Sequence, residues 1–221
     1  MNVSEFIAMA TKGDEAEARA ALEQDPGLAA ARDQNGVSVI GLAVYSGRAS
    51  LAAEIAASRS DLDIFEATCV GDAETALALV GGEPELVNAV SPDGFSPLGF
   101  SAFFGHADLL VSLIGLGADV DTPARNGLKV CPLHSAVANS DPDKATAMAR
   151  SLLAAGAAPN AKQQGGFTPL QGAALHGNLD LVRLLLESGA DPGLVNESGA
   201  TAVDLAESGG HSEVAQLLRS S

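Results

Sequence analysis

Glycine recurs in this chain at fixed distances, and that constrains the fold more than any other feature. Gly94 and Gly127 lie 33 residues apart, and so do Gly166 and Gly199. In four places a second glycine follows eleven residues later, pairing Gly36 with Gly47, Gly94 with Gly105, Gly166 with Gly177 and Gly199 with Gly210. In two of these a third follows twelve further on, at Gly117 and Gly189. A constant period near 33 marks a chain that stacks copies of one small supersecondary unit.

The segment from Gly166 to Gly189 shows what that unit is. Thr168 is a helix N-cap and Pro169 occupies the first helical position, where its missing N–H costs nothing. Gly177 can take the left-handed conformation that ends this first helix. Leu179, Val182, Leu185 and Leu186 then form the apolar stripe of a second helix that stops at Gly189. Each unit is therefore a helix pair, too short to be stable alone and obliged to bury its faces against neighbours. Composition fits thin layers, since 47% of the residues are hydrophobic but only 4% aromatic, with no Trp.

Seven units are counted, starting near residues 4, 33, 62, 91, 124, 163 and 196. Residues 1–90 are degenerate, 91–195 match the pattern well, and 196–221 read as a terminal cap whose Glu207, Ser208, His211, Ser212, Glu213 and Gln216 give a polar outer face. A longer period of 58 also appears: Gly13, Asp14, Pro26, Leu28, Gly36, Gly41 and Gly47 recur as Gly71, Asp72, Pro84, Leu86, Gly94, Gly99 and Gly105, implying an old two-repeat duplication. Val39 and Arg59 stand where Pro and Gly are expected. The fifth unit is long, with 39 residues from Gly127 to Gly166. Aligning its ends places two extra residues in Leu128-Lys129-Val130 and four within Asn139–Asp143, where they would lengthen the turn between the paired helices.

Phe167-Thr168-Pro169-Leu170 through Gly189-Ala190-Asp191 resembles the ankyrin repeat, with echoes at Ser96-Pro97-Leu98, Cys131-Pro132-Leu133-His134 and Gly117-Ala118-Asp119. The resemblance covers nearly the whole chain. It implies one all-α solenoid domain over 1–221, with β-hairpin-like fingers between units and a concave groove lined by fingers and first helices. It further implies a protein-binding scaffold, adaptor or inhibitor that is not an enzyme.

On that reading Tyr45, Phe95, Phe103, Phe104 and Phe167 face the groove, and Arg125, Asn126, Leu128 and Lys129 form a small basic island beside them. His176 is off pattern and exposed in the groove. Repeats four to six are the expected contact. The competing reading makes the rings fillers between Ala-rich first helices and the fifth-unit insertions neutral drift. A second function, from another class, is a small-ligand-binding or enzyme-associated regulator using the groove around the fifth repeat. The resemblance also assigns structural roles to His134, whose ring would bond a neighbouring finger, and to His106 and His211. Cys131 replaces the family's capping Thr.

The balance of 12 Lys+Arg against 28 Asp+Glu, net −16, opposes a phosphate backbone and favours a partner with a basic surface. No HExxH, paired Cys, GxSxG or GxxxxGK[ST] occurs, so no cofactor, metal or catalytic residue is expected. Cys69 and Cys131 lack a secretory context and read as reduced thiols. The acidic start of the chain argues against a signal peptide, and glycines interrupt the apolar stretch Phe95–Val120 too often for a membrane span. A cytoplasmic monomer is expected, from a bacterium by its Ala-, Gly- and Arg-leaning usage.

Overall fold

The computed structural model describes residues 1–221 and is 61% helix with no strand. Contacts group the residues into two compact units, 1–97 and 98–221. The first holds α1 (Val3–Lys12), α2 (Glu15–Gln24), α3 (Val39–Tyr45), α4 (Ala49–Ala57), α5 (Ile64–Val70) and α6 (Ala73–Gly82). The second holds α7 (Pro97–Phe104), whose first residue is the last of the other unit, α8 (Ala107–Gly115), α9 (Pro132–Val137), α10 (Pro142–Ala154), α11 (Pro169–His176), α12 (Leu179–Glu187), α13 (Ala202–Ser208) and α14 (Ser212–Arg219). These are seven helix pairs, at the positions given by the glycine spacing. The architecture is an all-α repeat stack.

First helices begin at side-chain caps even where no Thr-Pro precedes them. Asn2 with Glu5, Asp63 with Glu66, Thr168 with Gln171 and Thr201 with Asp204 each form a reciprocal capping box. The degenerate repeats thus start by the same physics as the well-matched ones, two orphan N–H groups being satisfied at once. Ser38 caps α3 by accepting from the Gly41 N–H, so Val39 needs no proline. Arg59, at the expected glycine, stays out of the left-handed region that Gly117 and Gly189 occupy at the same position. The 58-residue period has structural content: Pro26 and Pro84 each open a short 3-10 helix, Pro26–Ala30 and Pro84–Asn88.

The fingers are hairpin-like turns rather than ladders, with one isolated antiparallel bridge between Arg32 and Ser38. In each, a residue donates its N–H to the carbonyl four further on: Asp33 to Val37, Ser91 to Phe95, Gln163 to Phe167 and Asn196 to Ala200. A side-chain oxygen of Asp33, Ser91 or Asn196 accepts the N–H at that same fourth position. The fifth finger departs as the alignment requires, since Ala124 donates to Val130, six residues on. Its left-handed residue is Lys129 (φ 52°), the one non-glycine with positive φ.

The other insertion does not go wholly into the turn, as expected, but into helix. α10 has 13 residues where α12 has 9. Asp141 caps the added turn by accepting from Asp143 and Lys144 N–H groups, and Pro142 takes the first position. The linker 138–141 is also longer than the Gly177-Asn178 turn, because α9 is only 6 residues long.

Each unit buries its own apolar layer. Phe6, Ile40, Leu51 and Ile55 are fully buried in the first among Ala10, Ala18, Ala43 and Ala52. Leu110, Leu113, Leu133, Met148, Leu152, Leu170 and Leu181 are fully buried in the second. Each such side chain contributes roughly 1.5–3 kcal/mol, obtained only because a neighbouring pair covers it. Small residues set the layer spacing: a Cβ on Gly172 would meet the Val137 side chain at 2.9 Å.

Candidate partner-binding surface

The predicted site residues sort into groups set by repeat position. In the second unit, Arg125, Asn126, Leu128 and Lys129 lie on the fifth finger and Phe167 at the end of the sixth. Phe103, Phe104 and His176 sit at the opposite, turn end of their first helices, α7 and α11. A first helix of about 8 residues at 1.5 Å rise separates the two ends by roughly 12 Å. In the first unit, Tyr45 ends α3 and Phe95 closes the fourth finger.

The finger group is held by backbone. Leu128 N–H donates to the Asn126 side chain at 3.0 Å, and the Leu128 carbonyl accepts from Gln164 N–H at 2.8 Å, tying fifth finger to sixth. Gly165 in turn accepts from Glu197 N–H of the seventh at 2.9 Å. Leu128 is 48% exposed, Arg125 and Lys129 are exposed, and neither cation makes an ion pair. Phe167 is half-buried.

Beneath the fingers, His134 is 5% exposed. Its Nε2–H donates to the Phe167 carbonyl at 3.2 Å and its Nδ1 faces the Cys131 N–H at 3.4 Å. The bond from ring to neighbouring finger implied by the family resemblance is therefore present. That arrangement accepts only the neutral ring, because a proton on Nδ1 would oppose the Cys131 N–H. Burial accordingly lowers the pKa below 6.5, against smaller opposing contributions from the Phe167 and Ala161 carbonyls. Gln171 occupies the equivalent position in α11 and donates to the Leu194 and Ala200 carbonyls at 2.8 and 3.1 Å.

At the turn end, Phe100 is buried and stacks on Phe104 at 6.1 Å, while Phe104 meets Phe103 edge-on at 5.1 Å. The rings run from core to surface, with Phe103 46% exposed. Leu175, at the same repeat position as Phe103, is 40% exposed. Sequence reading missed Leu175, although its place two residues before a turn glycine is the signal that picks out Phe103 and Tyr45. His176 lines an open cleft of about 560 Å³ with Asn139, Ser140, Pro142, Asn178 and Asp180. One imidazole and one carboxylate line it, and no group of three or more His, Cys, Asp or Glu is placed to hold a metal ion. Tyr45 is 41% exposed, but its hydroxyl donates to Asp93 at 2.6 Å. Desolvation and the Asp93 carboxylate push the phenol pKa well above its usual value.

A second set of contacts, unforeseen from sequence, joins consecutive repeats at their turns. The residue after a turn glycine reaches back to a main-chain carbonyl of the preceding repeat. Arg48 donates to Met9 and Gly13, Asn178 to Pro142, and the His211 ring to Leu175 at 3.1 Å. In the long fifth repeat, which lacks the glycine, Asn139 does the same to Phe103 at 3.1 Å. Gly177 must be glycine on two counts, a φ of +71° and a His211 ring that would lie 2.3 Å from a Cβ. His211 thus has the structural role implied by the family resemblance.

The ionic arrangement of the first unit was also missed. Glu66 is 1% exposed and accepts from Arg59 at 2.9 Å and Arg32 at 3.1 Å, with Arg32 also pairing Asp63 and Arg59 pairing Asp61. Both cysteines are buried and neither forms a disulfide, and burial raises both thiol pKa values. No helix is long and apolar enough to cross a membrane.

No curated protein matches the chain. Residues 152–206 match a family model described as ankyrin repeats in many copies, spanning the end of α10 through α13 with two fingers between. Such repeats are in general protein–protein interaction modules and typically not enzymes. Helix pairs at the repeat spacing, capped first helices, and an imidazole bonded to the next finger agree with that match and support an ankyrin-repeat reading of the chain.

Proposed function

We propose that this chain is a protein–protein interaction module, a scaffold, adaptor or inhibitor, whose contact surface lies on repeats four to six. The observation that carries the reading is the set of apolar side chains left exposed at the two ends of the first helices in the second unit: Phe103, Leu128 and Leu175. Exposed apolar surface placed by a rigid scaffold marks interaction sites. The acidic first unit suits a partner with a basic surface, and two buried thiols without a disulfide suit a reducing cytoplasm.

The test is affinity capture from a lysate of the source organism with wild type and a Phe103→Ser, Arg125→Glu variant. Phe103 is preferred to Phe104, which stacks on the core ring. A protein retained by wild type and lost by the still-folded variant supports the reading; identical captures from both place the contact elsewhere. The cleft beside His176 sustains a second reading, a small polar ligand at the fifth repeat. A metabolite that raises the melting temperature of wild type but not of a His176→Ala, Asp180→Ala variant would favour it.

A further inference from the structure

The fifth finger combines three properties that no other finger shows together. It is two residues longer than its neighbours, closing from Ala124 to Val130. Its tip exposes an apolar side chain, Leu128, between two cations, Arg125 and Lys129. It is also fixed: the Asn126 side chain holds Leu128 N–H, the sixth finger holds the Leu128 carbonyl, and Lys129 is kept left-handed without being glycine. Strain of this kind persists where the surroundings over-determine it and concentrates at functional sites.

The cations are the informative part. In a chain of net charge −16, every arginine of residues 1–97 is engaged, Arg19, Arg32 and Arg59 by carboxylates and Arg48 by carbonyls. Arg125 and Lys129 have no such partner. The nearest carboxylates in sequence, Asp119 and Asp121, are turned to the finger's base, where Asp119 accepts from Asp121 N–H and Asp121 from Ala158 N–H. Glu197, on the seventh finger, binds Gly165 through its backbone N–H.

Building on the protein-interaction reading, we propose that the fifth finger is the docking point for an acidic, extended segment of a partner protein, with an apolar residue set against Leu128 and carboxylates on either side meeting Arg125 and Lys129. The chain's overall negative charge does not oppose this. Screening confines the field that a short segment feels to about 8 Å at physiological ionic strength, so local charge decides. A long phosphate polyanion would run beyond the two cations onto carboxylate-bearing surface. Opposite charges flanking an apolar contact fix register and speed encounter.

The experiment is selection of a random-peptide display library on the immobilised full chain, followed by titration of the selected peptides against wild type and two variants, Arg125→Glu with Lys129→Glu, and Leu128→Asp. Circular dichroism and melting temperature serve as folding controls. The expected result is enrichment of peptides with Asp or Glu flanking an apolar residue. They should bind more weakly as salt rises and lose about tenfold or more in affinity in both variants. Basic or neutral peptides, or acidic ones that bind the variants unchanged, overturn this inference and leave the interaction reading standing. No enrichment overturns it as well. Competition by a single-stranded oligonucleotide at equal affinity would transfer the site to phosphate ligands. Self-association abolished by the charge-reversed variant would transfer it to a second copy of the chain.

Discussion

The same repeat position is used in opposite ways by the two units. The third residue of a first helix is Glu66 in repeat three and His134 and Gln171 in repeats five and six. Glu66 gathers Arg32, from the finger that precedes its repeat, and Arg59, from the link just before its own helix. His134 and Gln171 are uncharged and reach forward, to carbonyls of the next finger. The wider charge pattern follows. Residues 1–97 hold 16 acidic and 5 basic residues, net −11, and residues 98–221 hold 12 and 7, net −5. Yet the more acidic unit is the one whose arginines are all engaged, whereas in the other only Arg219 makes an ion pair, with Glu207. One unit uses its cations to hold repeats together. The other holds its repeats together with neutral groups and leaves its cations on the surface.

Removing the buried carboxylate should have the largest effect. Glu66→Ala leaves Arg59, with a side chain only 9% exposed, facing a void. A loss of about 3–5 kcal/mol in unfolding free energy is expected by denaturant titration. Arg219→Ala, which breaks an exposed pair, should cost about 1 kcal/mol or less. Equal costs would erase the contrast between the units.

Gln171→Ala is the matching test of the neutral stitch. It strands the Leu194 and Ala200 carbonyls, and about 1–3 kcal/mol should be lost. Because no charge is involved, that cost should be the same in low and high salt, while the effect of Arg32→Ala should shrink as salt rises.

Acid should then separate the two chemistries. His134 has a folded pKa below its unfolded value of 6.5, so the unfolded chain takes up a proton that the folded chain refuses. Its contribution is present above pH 6.5 and declines as pH falls below that value, before the carboxylates titrate. The melting temperature of wild type should drop as pH falls below 6.5. A His134→Gln variant, which keeps a donor for Phe167, should lose that slope, and an unchanged slope would show that the ring is not the titrating group.

The smallest effect should have the opposite sign. Lys129→Gly removes the penalty of a left-handed non-glycine residue, and a gain of about 0.5–1 kcal/mol is expected. If the finger is a docking point, the same variant should bind its segment less well. Stability and binding would then part company at one residue.

Much of this was legible because it rests on local rules. The 33- and 58-residue periods, the helix pairs and the two-residue lengthening of the fifth finger all follow from glycine, proline and capping spacing. The added helical turn was legible too, since Asp141-Pro142 is a cap followed by a first-position proline, but an insertion was read as loop. Likewise Asn2 with Glu5 and Asp63 with Glu66 announce helix starts by capping chemistry, which a search for Thr-Pro passes over. What could not be read is chemistry that depends on which repeat faces which. Arg32 meets Glu66 across 34 positions, and Tyr45 meets Asp93 across 48. Of the candidate surface, the exposed finger was visible as composition, whereas the burial gradient from Phe100 to Phe103 depends on the packed layer.

The backward-reaching bonds at the turns give the stack a direction. Arg48, Asn139, Asn178 and His211 each donate to a carbonyl earlier in the chain. A growing polypeptide leaves the ribosome amino end first, so the second, fifth, sixth and seventh helix pairs each emerge with their own fastener and find the acceptor already in place. A repeat copied onto the carboxyl end would do the same, whereas one set before α1 would face Asp14, the residue after Gly13, which caps α2 as an acceptor and supplies no such donor. Lengthening by duplication is therefore easier at one end of such a chain than at the other.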